Sequence, residues 1–154
     1  MKNVIALLLV LFSAPSLAGN LELGVGTGVD GSYKSKELTA SGAKDNYSLG
    51  YESSITESFR TAVTLGQSNF AGLNDRSLKL APRLYYGNLF ATAGLGYHKV
   101  DREDAFTGLL GIGFRTNSDS PGKLGYGLDL FHEEGFGEMK LKQLDLSLVV
   151  SLGL

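Results

Sequence analysis

The chain has 154 residues, 14 of them basic and 16 acidic, for a formal net charge of −2, with 21 glycines, 7 tyrosines, 8 phenylalanines and neither cysteine nor tryptophan. That weakly acidic balance excludes a nucleic-acid groove, which needs a basic face, and the lack of cysteine excludes a disulfide framework and thiolate metal sites. A domain without such staples must close its hydrogen-bond ladders or draw stability from its surroundings.

Met1 to Ala18 reads as a secretory signal peptide: a basic start at Lys2, an apolar run from Val4 to Phe12, a helix-breaking Pro15, and small Ser16 and Ala18 at the cleavage position. The apolar run is too short to cross a bilayer as a helix. The expected mature chain, Gly19 to Leu154, is one domain with 13 basic and 16 acidic residues, a charge of −3.

Eight segments of the mature chain alternate apolar and small or polar residues with the period of a β-strand. The first, Asn20 to Val29, sets Leu21, Leu23, Val25 and Val29 against Glu22, Gly24, Gly26 and Gly28. The second, Asn46 to Ser54, sets Tyr47, Leu49 and Tyr51 against Ser48, Gly50 and Glu52, and the third, Ser58 to Gly66, sets Phe59, Val63 and Leu65 against Arg60, Ala62 and Thr64. The fourth, Leu78 to Tyr86, opposes Leu78, Leu80, Leu84 and Tyr86 to Lys79, Ala81, Arg83 and Tyr85; Pro82 inside it removes one ladder donor. The fifth, Leu89 to His98, opposes Leu89, Ala91, Ala93, Leu95 and Tyr97 to Phe90, Thr92, Gly94, Gly96 and His98. The sixth, Phe106 to Thr116, carries Phe106, Leu110, Ile112 and Phe114 on one face and Thr107, Gly111, Gly113 and Arg115 on the other, and the seventh, Leu124 to His132, sets Leu124, Tyr126, Leu128 and Leu130 against Gly125, Gly127, Asp129 and Phe131. The last, Leu144 to Leu154, is apolar at every even position, while Asp145, Ser147, Val149, Ser151 and Gly153 form the opposite face.

Such strands place one face in lipid and the other in a polar lumen. The predicted fold is therefore all-β, an eight-stranded antiparallel up-and-down transmembrane β-barrel. Short links at Ile55 to Glu57, Gly87-Asn88 and Asn117 to Gly122 alternate with longer polar stretches at Gly31 to Lys44, Gln67 to Ser77, Lys99 to Ala105 and Glu133 to Lys140. Short turns belong on the periplasmic side, which puts both mature termini there. A soluble β-sandwich also alternates, but tyrosine and phenylalanine near the strand ends suit the interfacial girdles of a barrel.

With these eight segments the mature chain resembles the small eight-stranded outer-membrane proteins of Gram-negative bacteria, of the OmpA-barrel, OmpX/Ail and YfaZ-like type. The resemblance implies a porin-like barrel in the cell outer membrane, without a cofactor, monomeric, contacting outer-membrane lipids and lipopolysaccharide and inserted by the barrel-assembly machinery. That machinery recognises a terminal aromatic residue in the family, and this chain ends on Leu154 with the alternation kept. The role implied is structural or surface-interacting. A lipid A-modifying enzyme and a narrow pore for small solutes are the rival readings.

Few motifs carry chemistry. Gly26 to Gly31 matches G-x-G-x-x-G, but no helix pattern follows to meet a pyrophosphate. Ser41 to Lys44 matches S-x-x-K without its partner motifs. Lipid A deacylases of this size carry an outward histidine on a late strand with serine two residues on; here His132 holds the histidine position, but the residue two further on is Glu134, so the nucleophile is missing. Asp101, Glu103 and Asp104 form an acidic cluster whose spacing matches no calcium loop. Arg76, Lys99, Arg102, Lys140 and Lys142 lie near the outer strand ends, where lipopolysaccharide phosphates would be met.

The inward charges are the remaining candidates. An eight-stranded barrel is wide enough only to be filled by its own side chains, and charges placed there must be paired. Folding the strands about their turns brings Glu22, Glu52, Arg60 and Arg83 into one row near the periplasmic end, with Arg115 and Asp129 reaching it from the far wall and glycines leaving them room. No catalytic, cofactor or metal constellation accompanies them.

Overall fold

The computed structural model describes residues 19–35, 39–42, 44–70, 72–116, 119–136 and 140–154; the expected signal peptide lies outside them. Nine strands follow one another: β1 Gly19–Lys34, β2 Thr39–Ser41, β3 Lys44–Ser54, β4 Phe59–Phe70, β5 Leu73–Tyr86, β6 Leu89–Val100, β7 Glu103–Arg115, β8 Leu124–Phe136 and β9 Lys140–Gly153. All belong to a single antiparallel sheet in which β1 pairs with both β2 and β3, each strand from β3 to β8 pairs with the next, and β9 returns to pair with β1. β2 lies on the upper part of β1 and β3 on its lower part, so these two form one interrupted stave. The result is a closed barrel of eight staves.

The register fixes the barrel's shape. Following ladder partners from Leu21 through Tyr51, Val63, Leu80, Leu95, Gly108, Glu134 and Lys142 returns to β1 at Ser32, eleven residues above the start, one of them absorbed by a bulge between Gly28 and Asp30. The stagger of ten that remains tilts the strands by roughly 40° to the barrel axis. Both ends of the barrel chain, Gly19 and Leu154, lie together at one mouth, where the Leu154 N–H donates to the Gly19 carbonyl at 3.0 Å.

Alternation separates two environments. Leu23, Val25, Leu80, Leu95, Leu110, Ile112, Leu128, Leu148 and Val150 are exposed on the outside and form an apolar band. Phe59, Tyr86 and Tyr126 edge this band toward the termini, and Tyr47, Phe106 and Phe136 edge it at the far end. Inward residues from the same strands are buried. Toward the far mouth, Tyr33, Val100 and Leu141 pack together with Leu73 as an apolar cap inside the barrel.

The strands are longer than the hydrophobic pattern indicated. The stretches expected as long loops at Gly31 to Lys44, Gln67 to Ser77, Lys99 to Ala105 and Glu133 to Lys140 are largely strand, and the intervals between strands at the far end shorten to two to four residues at 35–38, 71–72, 101–102 and 137–139. The period persists there with a polar outer face: Gln67, Asn69, Arg76, Lys99 and Asp104 point out while Ser68, Asp75, Val100, Ala105 and Glu133 are buried. A ladder whose inner residues are packed does not need an apolar outer face, so the barrel rises past its apolar band. The expected contrast between short and long connections is therefore not present. Pro82 is accommodated in β5 facing outward, with the Thr92 hydroxyl donating to its carbonyl at 2.6 Å.

Candidate functional site

The lumen holds two ionic clusters with a cavity between them. The cluster nearer the termini contains the six charges expected from the sequence. Arg83 from β5 is at its centre: Nη1 donates to Glu22 Oε1 and Oε2 from β1, each at 2.9 Å, and to Glu52 Oε2 from β3 at 2.6 Å. Arg115 from β7 donates from Nε to Glu22 Oε1 at 2.9 Å and from Nη2 to Asp129 Oδ2 at 2.7 Å, with a second contact from Nη1 to Asp129 Oδ1. The Tyr85 hydroxyl donates to Glu52 Oε2 at 2.7 Å. Phe90 stacks against both guanidiniums, 4.8 Å from Arg83 and 5.3 Å from Arg115. Charge-assisted bonds of this kind offset the desolvation of each ion.

Glycine makes room for these side chains. A Cβ at Gly127 would lie 2.6 Å from Arg115 Nη1 and 2.2 Å from the Phe114 carbonyl oxygen, and one at Gly113 would lie 2.3 Å from Phe90 Cζ. Side chains at these positions would displace the cluster.

Arg60 has a different place from the one its row suggests. It is at the mouth, 3.2 Å from Glu52 but bound bidentately to Asp119, with Nη1–Oδ1 2.6 Å and Nη2–Oδ2 2.9 Å. Asp119 belongs to the connection between β7 and β8, so this turn is strapped over the opening next to the termini. The Arg60 hydrogen bonds hold the Asp119 carboxyl below the usual aspartate range. A depressed folded-state value means the strap stabilises above the ordinary aspartate pKa and is lost as pH falls through the folded value. Asp119→Asn is expected to remove that acid-dependent part from a pH series of unfolding midpoints. An unchanged acid limb would show that the strap contributes nothing.

The second cluster was not recognised in the sequence. His98 from β6 is fully buried, with Nδ1 3.0 Å from Asp75 Oδ2 on β5 and Nε2 2.8 Å from Glu133 Oε2 on β8. Glu133 also accepts from Thr107 at 3.1 Å, from Gln143 Nε2 at 2.8 Å and from Lys79. Lys44 reaches Gln143 and lies 3.4 Å from Asp145. His98 thus has a carboxylate on each side, and Lys44 and Lys79 stand with it among Asp75, Glu133 and Asp145. Lys79, His98 and Asp145 were legible as inward residues. Continuing the period past the apolar stretch, from Asp129 and Phe131 to Glu133 and from Lys79 and Ser77 back to Asp75, would have found the rest.

Between the clusters is a cavity of about 40 Å³ lined by Ser48, Thr64 and Ser147 alongside Leu109, Phe131 and Val149. It has room for roughly three waters.

The other candidates disperse. Asp101 in the β6–β7 turn accepts the Asn74 N–H at 3.1 Å, Glu103 accepts from the Tyr33 hydroxyl, and Asp104 accepts from the Tyr97 hydroxyl at 2.7 Å. The three carboxylates thus serve three different partners. The motif glycines Gly26 and Gly28 lie within β1. Ser41 and Lys44 lie at the ends of β2 and β3, with Lys44 turned inward. Arg76, Lys99, Arg102, Lys140 and Lys142 are exposed at the end of the barrel opposite the termini. His132 faces outward on β8, with Nε2 4.0 Å from Glu134 Oε2.

Neither a scan of family models nor a search of curated proteins gives a match for the sequence. Solved structures do match in shape. The crystal structure of Neisserial surface protein A is similar over 87% of this chain and 96% of that one, with 14% identity and a TM-score of 0.53. That of Ail, the attachment invasion locus protein of Yersinia pestis, in complex with the heparin analogue sucrose octasulfate, is similar over 89% of this chain and all of that one, with 10% identity and a TM-score of 0.55. At such identities the likeness concerns the fold, and the closed eight-stranded antiparallel barrel of those two proteins is the fold of this chain.

Proposed function

We propose that this chain is a small integral outer-membrane protein with a structural or surface-interaction role, its lumen plugged by its own side chains. The observation that carries the reading is the exposed apolar band, edged by aromatic residues at both ends, around an interior of paired ions. In water that band would be a large apolar surface without a partner, whereas in a bilayer it faces its solvent. The interior clusters and the apolar cap support the plugged reading. The export segment predicted at 1–18 supports delivery across the inner membrane, with insertion by the barrel-assembly machinery. Grouping of Arg76, Lys99, Arg102, Lys140 and Lys142 at the rim opposite the termini supports an orientation with both termini periplasmic and those cations at lipopolysaccharide phosphates. The separated acidic residues and the absence of a nucleophile beside His132 favour a role other than catalysis.

The mature chain is expected to refold only with detergent or lipid, to give β-rich circular dichroism, and to migrate faster on a gel before boiling than after. Planar bilayers containing it should be almost silent. Cooperative folding in water as a monomer would reject the outer-membrane reading, and steady, well-resolved channels would reject the plug.

A further inference from the structure

On the wall formed by β6, β7 and β8, the apolar band contains a groove of about 490 Å³ lined by Ala93, Leu95, Gly108 and Leu110. Its floor is low because Ala93 and Gly108 present almost no side chain. The Phe136 ring closes its upper end, so near to Gly108 that a Cβ there would lie 2.8 Å from Cζ. One side of the groove is polar, formed by His132 and Glu134.

That polar side lies where the outer face of β8 passes from apolar to polar residues, between Leu130 and the aromatic edge at Phe136. His132 is laddered between Leu110 and Leu144, with Leu130 before it on the outer face of β8 and Phe136 beyond it. Its Nε2 is 4.0 Å from Glu134 Oε2, too long for a hydrogen bond, and neither side chain has a hydrogen-bond partner among the described residues. Ionisable groups on a lipid-facing surface are costly, and where they occur they mark a site. The cost falls if a lipid supplies the missing hydrogen bonds.

We propose that this groove seats one acyl chain of an outer-leaflet lipid whose linkage region carries a hydrogen-bond donor, an amide N–H or a hydroxyl, held by His132 and Glu134. The inference rests on the outer-membrane reading above. The chemistry follows from the two side chains. A carboxylate accepts, and an imidazole always carries at least one N–H to donate, so the pair is met by a ligand with a donor beside an acceptor. An ester-linked diacyl lipid offers carbonyl acceptors alone at that depth. An amide-linked or hydroxylated acyl chain offers both. The site's polar end opens toward the rim, where Lys142 is the ladder partner of Glu134.

Sphingomyelin and phosphatidylcholine with matched chains test this directly. They share a headgroup, so the rim cations do not distinguish them, and they differ in the amide and hydroxyl at the linkage. The detergent-refolded barrel, equilibrated with an equal mixture and read by native mass spectrometry, is expected to retain sphingomyelin roughly tenfold over phosphatidylcholine, the worth of one to two hydrogen bonds. The His132→Leu, Glu134→Leu double variant removes both polar groups and makes the outer wall more apolar, so it should fold normally and lose the preference. Equal retention by the unaltered chain, or a preference that survives in the double variant, would overturn the subsite while gel migration still reported a folded barrel. A chain that forms no barrel in detergent would reject the outer-membrane reading and the subsite with it.

Discussion

Arg83→Gln is expected to lower unfolding stability in lipid vesicles by about 3 to 5 kcal/mol, the cost of removing one partner from a buried ionic cluster. Arg83 is 3% exposed and touches both Glu22 and Glu52, which come from two different strands. Its removal leaves Glu22 to Arg115 and Glu52 to Tyr85 and the mouth residue Arg60. Glutamine fills similar space without the charge, so the loss reports electrostatics more than packing. Adding Glu52→Gln should recover much of it, because the unpaired carboxylate disappears with its partner. Arg60→Gln should cost far less: its side chain is at the opening, and water can replace it beside Glu52. Urea titrations of the three single variants and the Glu52–Arg83 double would measure the coupling. Additive losses at Glu52 and Arg83 would mean that the two ions do not act as a pair. The same variants belong in planar bilayers, where a small rise in conductance with Arg83→Gln is the expected sign that the cluster blocks the lumen.

The sequence made one half of the lumen far more legible than the other, for a physical reason. Glu22, Glu52, Arg60, Arg83, Arg115 and Asp129 lie on segments whose opposite face is apolar, so the two-residue period announces which way each points. Asp75, Glu133 and Lys44 lie where the outer face has become polar, and there the contrast that reveals the period disappears. Polar residues such as Gln67, Arg76 and Lys99 carry the composition of a loop, yet their inward neighbours Ser68, Asp75 and His98 are packed against other side chains. The connection lengths were misjudged from the same cause. Pairing partners are a further step that periodicity does not supply. Folding the chain about Thr56 would set Glu52 opposite Arg60, but the ladder pairs Arg60 with Ser54 and Glu52 with Ala62, which gives Arg60 to Asp119 and leaves Arg83 as the nearer partner of Glu52. The outward histidine was visible from the start. That it borders a groove depended on Ala93 and Gly108, two small residues on neighbouring strands whose alignment only the register reveals.

Leu128→Arg and Leu148→Arg are each expected to destabilise the lipid-embedded barrel by about 2 to 4 kcal/mol, the cost of a cation near the middle of a lipid-facing wall. Both side chains point outward, 43% and 68% exposed, and both lie well inside the apolar band between Tyr126 and the polar residues that begin at His132. They are also ladder partners on β8 and β9. The double variant therefore places two guanidiniums side by side in a medium that screens them poorly, and its loss should exceed the sum of the single losses. Arginine at Asp104, outward on β7 beyond the band, should cost no more than about 1 kcal/mol, since depth and not outward direction sets the penalty near the interface. Urea titration of all four variants in the same vesicles separates these terms. If Leu128→Arg and Leu148→Arg are tolerated as well as Asp104→Arg, the band does not face lipid, and the outer-membrane reading fails at its carrying observation.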